Sequence, residues 1–492
     1  MEGIIDIHCH PTLHQFAFYN VGKRRKNDLW WDNSPRARER NNQFPAYFQS
    51  NMPALAQGKV KIIVAAMYAI EQNWFDPAVL GTGDLTDFLA KNFAVHIPTK
   101  YINKVQSNAH NYFNTLQAEF EFLKKDNGVQ KSSLPGWKYV LPQSAEDIQL
   151  ALSQDKTVVI IPSIEGGHSL LSGNNRDILD GNISIESLVK NVETVKSWSA
   201  KPLYLTLAHH FYNGLCGHAK SIPSVASKLI TQQIGLNEPI NDIGMELIDA
   251  LLGINKYKHH TKRILIDTKH LSIAARMQYH EKISHYNRDK SDDEKIPILN
   301  SHAGYGGHKT LSDSIVIPDN VNDKYKHSTE YNPWSINLSD QEVVEIFKSN
   351  GLIGINLDQR ILSGHERLEE EKHSFSNRDI RKNTDEVKQF WTKRVASNIL
   401  GIVGAIVNSD GLDDVEKQNA WDVLCLGTDF DGMINPVDSF ITSGEFNDLK
   451  QCLIKYMPEM EAYQQLSLGK PIHELVEKIM IDNAMRFILS NY

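Results

Sequence analysis

The stretch "TVVIIPSIEGGH" (Thr157–His168) decides how this chain is read. Its run of Val and Ile has the composition of a buried strand and is too short for a buried helix. A carboxylate, Glu165, stands where the apolar run stops, and two glycines then permit a tight turn. Seven other stretches share this design: "GIIDIH" from Gly3, "KVKIIVAAMYAI" from Lys59, "PLYLTLAHH" from Pro202, "KRILIDTKH" from Lys262, "IPILNSH" from Ile296, "GLIGINLD" from Gly351 and "DVLCLGTDFD" from Asp422. Amphipathic helical patterns lie among them, as in "NDIGMELIDALLGINKY" (Asn241–Tyr257), "SDQEVVEIFKSNG" (Ser339–Gly351) and "EVKQFWTKRVASNILGIVGAIV" (Glu386–Val407). Strands alternating with helices predict βαβ units and a parallel sheet, and eight such strands predict a closed (β/α)8 TIM-type barrel.

Long polar insertions follow several strands, at about 21–57, 72–154, 308–333 and 363–385. No linker of Pro, Gly and Ser sets them apart, so they are expected to decorate one domain spanning 1–492. The last is charge-rich and reads as a solvated loop or helix face. The formal net charge of the 492 residues is -8 and no basic stripe stands out, which argues against a nucleic-acid partner. Four cysteines without a CxxC pair fit a reducing compartment. No secretory signal is visible, and no apolar run approaches the ~20 residues of a membrane helix. With Met1 as the start, the expectation is a cytoplasmic protein without a membrane partner.

The ends of the runs carry the chemistry. The first ends in His8 and His10, the third in Glu165, the fourth in His209, the fifth in His270, the sixth in His302 and the eighth in Asp429. In a parallel barrel the carboxyl ends of all strands open onto one face, where active sites lie. Alternate strand residues face the same way, so His8 and His10 point together and Cys9 points away, as a small packed residue. His8, His10, His270 and His302 offer nitrogens, and Glu165 can give one oxygen to each of two divalent ions. This N/O donor set suits zinc. Two ions sharing a water would hold it as a nucleophilic hydroxide. Asp429 then serves to move the proton, and His209 to donate to the developing oxyanion. His168 reads as supporting the site, and Asp431 as orienting the loop after the last strand.

Five stretches occur in one order: "IEGGHSL" (Ile164–Leu170), "LYLTLAHH" (Leu203–His210), "LIDTKHLS" (Leu265–Ser272), "NSHAGY" (Asn300–Tyr305) and "GTDFDG" (Gly427–Gly432). In these the chain resembles the renal, or membrane, dipeptidase family (peptidase family M19) of the amidohydrolase superfamily, over nearly its whole length. The resemblance implies that His8 is the first ligand and Glu165 the bridging carboxylate, with His270 and His302 on the second zinc. It also implies that His209 contacts the scissile carbonyl and that Asp429 lies near the attacked bond and the substrate's amino group. Members of the family bind two zinc ions and cleave dipeptides, some with a C-terminal D-residue, and the resemblance is compatible with a homodimer.

Two departures stand out. The family's HxD pair is His8-Cys9-His10 here, which keeps a ligand and removes a negative charge. The arginine that clamps the substrate's carboxylate is missing from "SHAGYGGHKTLSDSIVIPDN" (Ser301–Asn320). Either His308 or Lys309 replaces it, or the substrate has no carboxylate there. The expected function is hydrolysis of an amide bond in a dipeptide or dipeptide-like small molecule. The rivals are lactone or N-acyl amide hydrolysis on the same metals, and a catalytically silent barrel that binds a ligand or protein partner.

Overall fold

The eight apolar runs form strands in the computed structural model, which describes residues 3–35, 38, 45, 47–75, 97–222, 232–258, 262–314 and 330–492. In chain order the strands are β1 (Ile4–Cys9), β2 (Val60–Met67), β3 (Lys138–Val140), β4 (Thr157–Glu165), β5 (Tyr204–Thr206), β6 (Leu265–Asp267), β7 (Leu299–Ala303), β8 (Leu352–Ile355) and β9 (Leu424–Leu426). They belong to one sheet in the order β2-β1-β9-β8-β7-β6-β5-β4-β3, and β2 also pairs with β4. That last pairing closes eight strands into a ring and leaves β3 outside it. The fold is a (β/α)8 barrel. β3 was not expected: three residues are too few to show a period of two.

The described residues group into two compact units. One comprises 1–9, 32–63 and 282–490, and contains β1, β7, β8 and β9. Its strands run parallel, with Asp6 opposite Leu426 and Ile353 opposite Leu424. Close strand approach explains two glycines. A Cβ on Gly354 would lie 1.9 Å, and one on Gly427 1.8 Å, from the Ser301 carbonyl oxygen. The helix Asp385–Val407 buries Trp391, Val395, Ile399, Ile402 and Ile406, a helical spacing that turns one apolar stripe inward. Helix Asp340–Lys348 starts at a capping box in which Ser339 and Glu342 satisfy each other's backbone N–H groups. The charge-rich insertion folds as two short helices, His365–Ser374 and Asn377–Lys382, with the exposed pairs Arg367–Glu370 and Lys372–Glu369.

The second unit comprises 10–31, 64–281 and 491–492, so the division falls within β2. Here β4 pairs with β5 at Ile164–Leu205, and β5 with β6 at Tyr204–Leu265, again in parallel. Helix Ile185–Lys196 buries Leu188, Val192 and Val195 and begins at Ser184, whose hydroxyl accepts the Ser187 N–H. Helix Asp242–Leu252 stops at Gly253, which adopts φ 67° in the left-handed region. The expected insertion 72–154 holds helices Thr99–Val105, Tyr112–Lys124 and Ala145–Leu152. Parts of three expected insertions, within 36–46, 76–96 and 315–329, lie outside the described residues. Among the described residues no helix is long and apolar enough to cross a membrane.

Candidate metal centre

Glu165 is the last residue of β4, and its carboxylate is the centre of a buried cluster in the second unit. His10 follows β1 directly and brings Nε2 to 2.9 Å from Glu165 Oε2. His209, three residues beyond β5, has Nε2 at 3.6 Å from the same oxygen. His270, three residues beyond β6, has Nε2 at 3.6 Å from Oε1. Ligand atoms of Glu165, His209 and His270 all lie within 4.8 Å of one another. His270 takes φ 65°, a left-handed conformation that a non-glycine residue adopts only when its surroundings hold it there.

Charge follows burial. Burial pulls the His270 imidazole down to about 4, so this ring is neutral and able to ligate at neutral pH. Burial also acts on His209, but the carboxylates of Glu71 and Glu165 outweigh it and raise this imidazole above its ordinary value. For Glu71 the balance is the reverse. Burial raises it, yet the His209 and His168 rings, with the hydrogen bond from His209, hold it below the usual carboxylate range. His168 has Nε2 at 2.7 Å from the Ala69 carbonyl oxygen, a supporting contact rather than a contact to Glu165.

The first unit holds the other sequence-predicted residues. His8, in β1, and His302, in β7, stack with ring centroids 3.9 Å apart. Ser301 Oγ lies 3.2 Å from His8 Nδ1 and 2.8 Å from His302 Nδ1, so one hydroxyl steadies both rings. Asp429 Oδ1 is 3.9 Å from His8 Nε2, and its backbone, at φ 63°, donates its N–H to the His8 carbonyl oxygen at 2.9 Å. Asp6 accepts from the Thr428 hydroxyl at 2.6 Å, the Thr428 N–H and the His8 N–H, tying β1 to the loop that carries Asp429. Burial raises its carboxyl to about 6 against those hydrogen bonds. Asp431 accepts from the Gln49 and Ser50 N–H groups and the Ser50 hydroxyl, so it orients its loop. Cys9 is buried, and burial pushes its thiol well up, leaving it unreactive.

Neither residue named in place of the missing arginine points to a clamp. His308 Nε2 is 3.0 Å from the Pro333 carbonyl oxygen, and Lys309 Nζ donates to Asp340 Oδ2 at 2.8 Å.

Three further carboxylates escaped the sequence reading. Glu71, just after β2, accepts from His209 Nδ1 at 3.0 Å. Glu119, on helix Tyr112–Lys124, accepts from the Thr12 hydroxyl at 2.6 Å and the Tyr68 N–H at 3.0 Å. Asp267, the last residue of β6, accepts from the Thr206 hydroxyl at 2.6 Å. Glu71 and Asp267 carried the same signal as Glu165, an acidic residue closing an apolar run. Glu119 sits within a helical pattern and carried none.

The donor set fits a borderline-soft divalent ion: imidazole nitrogens and carboxylate oxygens, all on nearly fully buried side chains. No family model matches this chain, and no curated protein does. Two solved structures align along its entire length. One is a metallopeptidase from Rhodobacter sphaeroides, solved with a phosphinate mimic of the dipeptide L-Ala-D-Ala; it is 12% identical, covers 100% of this chain and 99% of its own, and has a TM-score of 0.53. The other is a dipeptidase of metallopeptidase family M19, 12% identical, covering 100% of this chain and 98% of its own, with a TM-score of 0.51. In fold, this chain resembles the M19 dipeptidases. At such identity the likeness is one of backbone architecture alone.

Proposed function

We propose that this chain is a metal-dependent hydrolase that cleaves an amide bond in a dipeptide or dipeptide-like small molecule. The observation that carries the reading is the buried gathering of His10, His209 and His270 around Glu165, at 2.9 to 3.6 Å. Buried carboxylates of this kind are held by hydrogen bonds, by ion pairs or by metals. His10, Glu165 and His270 in the second unit, and His8 and His302 in the first, are the residues that would hold divalent metal, zinc by donor type. Divalent metal held there would lower the pKa of a bound water enough for it to attack at neutral pH.

The chain's own groups do the rest. His209 presents Nε2 to the carbonyl oxygen of the substrate and donates to it as negative charge develops. Asp429 takes the proton of the attacking water on its carboxylate and returns it to the departing amine nitrogen. Partial exposure of its side chain, 14%, suits a group that must meet substrate.

A second reading has its own observation. With His308 and Lys309 engaged by Pro333 and Asp340, a lactone or N-acyl amide without the clamped carboxylate is the competing substrate class. The zinc-loaded protein is to be assayed against L-Xaa-L-Xaa and L-Xaa-D-Xaa dipeptides, lactones and N-acyl amides, with Asp429→Asn alongside. The expected result is amino-acid release that the variant lacks. Turnover of lactones alone would replace the dipeptide assignment, and no turnover of any class with metal bound would favour a silent binding barrel.

A further inference from the structure

Glu71 has no place in the scheme above, yet it is among the most deliberately held side chains in the second unit. Its carboxylate is buried, so each oxygen must find a donor. His209 Nδ1 lies 3.1 Å from Oε1 and 3.0 Å from Oε2. The His210 N–H donates to Oε1 at 3.2 Å, and the Tyr68 hydroxyl donates to Oε2. Trp74 Nε1 in turn donates to the Tyr68 oxygen at 3.0 Å, which directs the hydroxyl proton toward Glu71. The direction of every bond is therefore settled by chemistry, because an indole N–H can only donate and an ionised carboxylate can only accept.

From this geometry we propose that Glu71 is the positioning residue of His209: it accepts the proton on Nδ1 and so turns Nε2, the nitrogen that donates to the substrate, toward Glu165. The inference rests on the reading of His209 as the group that meets the substrate's carbonyl. A carboxylate cannot donate, so a proton must sit on Nδ1 wherever the contact is made. Nε2, 3.6 Å from Glu165 Oε2, is then the nitrogen offered to the reacting centre. Packing holds the plane of the ring as well as its edge. Tyr68 meets it edge-on at 4.7 Å between centroids, and His210 lies 3.8 Å away on the same scale. Without the carboxylate nothing holds a proton on Nδ1 beside the one on Nε2, and the ring is free to turn.

The test uses the zinc-loaded full chain. The imidazole 15N spectrum is recorded, with His209 assigned by the signal lost in His209→Gln. Protons on both ring nitrogens are expected in the wild type, and loss of the Nδ1 proton in Glu71→Gln. On a dipeptide substrate, Glu71→Gln is expected to lower kcat by roughly 10–100-fold with KM unchanged, the usual size of losing a group that orients a functional histidine. Glu71→Asp, which keeps the charge at shorter reach, should restore part of that loss. Wild-type His209 protonated on Nε2 alone would overturn the proposal. So would a Glu71→Gln variant with an unchanged spectrum and full kcat. If Glu71→Gln does not fold, the wild-type spectrum alone still shows whether Nδ1 carries a proton. If no dipeptide is cleaved, the functional reading fails while the spectrum still judges the positioning.

Discussion

Replacing Glu119 by Gln should make the protein's stability less dependent on pH, and the size of the effect follows from the site. Glu119 is fully buried on helix Tyr112–Lys124, and burial raises its carboxyl from 4.5 to about 7, against hydrogen bonds from Thr12 and the Tyr68 N–H. A folded-state pKa above the unfolded one means that the folded protein holds the proton longer. Below pH 4.5 the group is neutral in both states and contributes no difference. Between pH 4.5 and 7 the unfolded chain releases this proton and the folded chain does not, so stability falls as pH rises. The shift of about 2.5 units corresponds to roughly 3 kcal/mol lost by pH 8. Gln has the same shape and no proton to lose. Its amide oxygen can accept the Tyr68 N–H, and its NH2 can face a Thr12 hydroxyl that rotates to accept. Urea unfolding of both proteins, followed by tryptophan fluorescence at pH 5 and pH 8, isolates the group, because all other titrations cancel in the difference. The variant should exceed the wild type by roughly 1 kcal/mol at pH 5 and by about 3 kcal/mol at pH 8. A stability difference that does not change between the two pH values would refute the account of Glu119 as a carboxyl kept neutral by burial.

Other expectations follow from the same reasoning. Removing the metal by dialysis against a chelator should lower Tm, and zinc should restore it; an ion present at 100 times its Kd adds about 2.7 kcal/mol to folding. Glu165→Gln removes the charge at the centre of the cluster, and elemental analysis of the purified variant should find less bound metal than in the wild type. Trp391→Ala empties a fully buried site on helix Asp385–Val407 and should cost about 3–5 kcal/mol in unfolding experiments, with the metal content of the folded fraction unchanged. Lys309→Ala removes a side chain that is 83% exposed and paired with Asp340, so the KM for dipeptides should stay where it was; a large rise would make Lys309 the carboxylate anchor after all.

Local chemistry made much of this protein legible in one dimension. A β-branched run that ends in a histidine or a carboxylate reads as a barrel strand with a functional tip, because a polar group buried at the end of an apolar strand needs partners of its own. Thus β4 ending at Glu165, and β1 with His8 and the adjoining His10, could be found from the chain alone. Helix Asp340–Lys348 was legible from its amphipathic pattern, whereas the pattern read over Asn241–Tyr257 overran the helix end at Leu252, where Gly253 takes φ 67°. β3 was not, because three residues carry no period.

What only the tertiary structure decided is which groups meet across long separations. His209 and Glu71 are 138 residues apart, and no local pattern says that one orients the other. Backbone strain was equally hidden. His270 and Asp429 stand three residues past their strands with positive φ, a conformation uncommon outside glycine that no run of sequence announces. Glycine at 354 and 427 is required by a carbonyl oxygen on another strand, Ser301, less than 2 Å from where a Cβ would sit. Composition and spacing report what each segment must bury. Distances between segments are set when all of them bury their surfaces at once, and at that step a set of separate strand ends becomes the surroundings of one carboxylate.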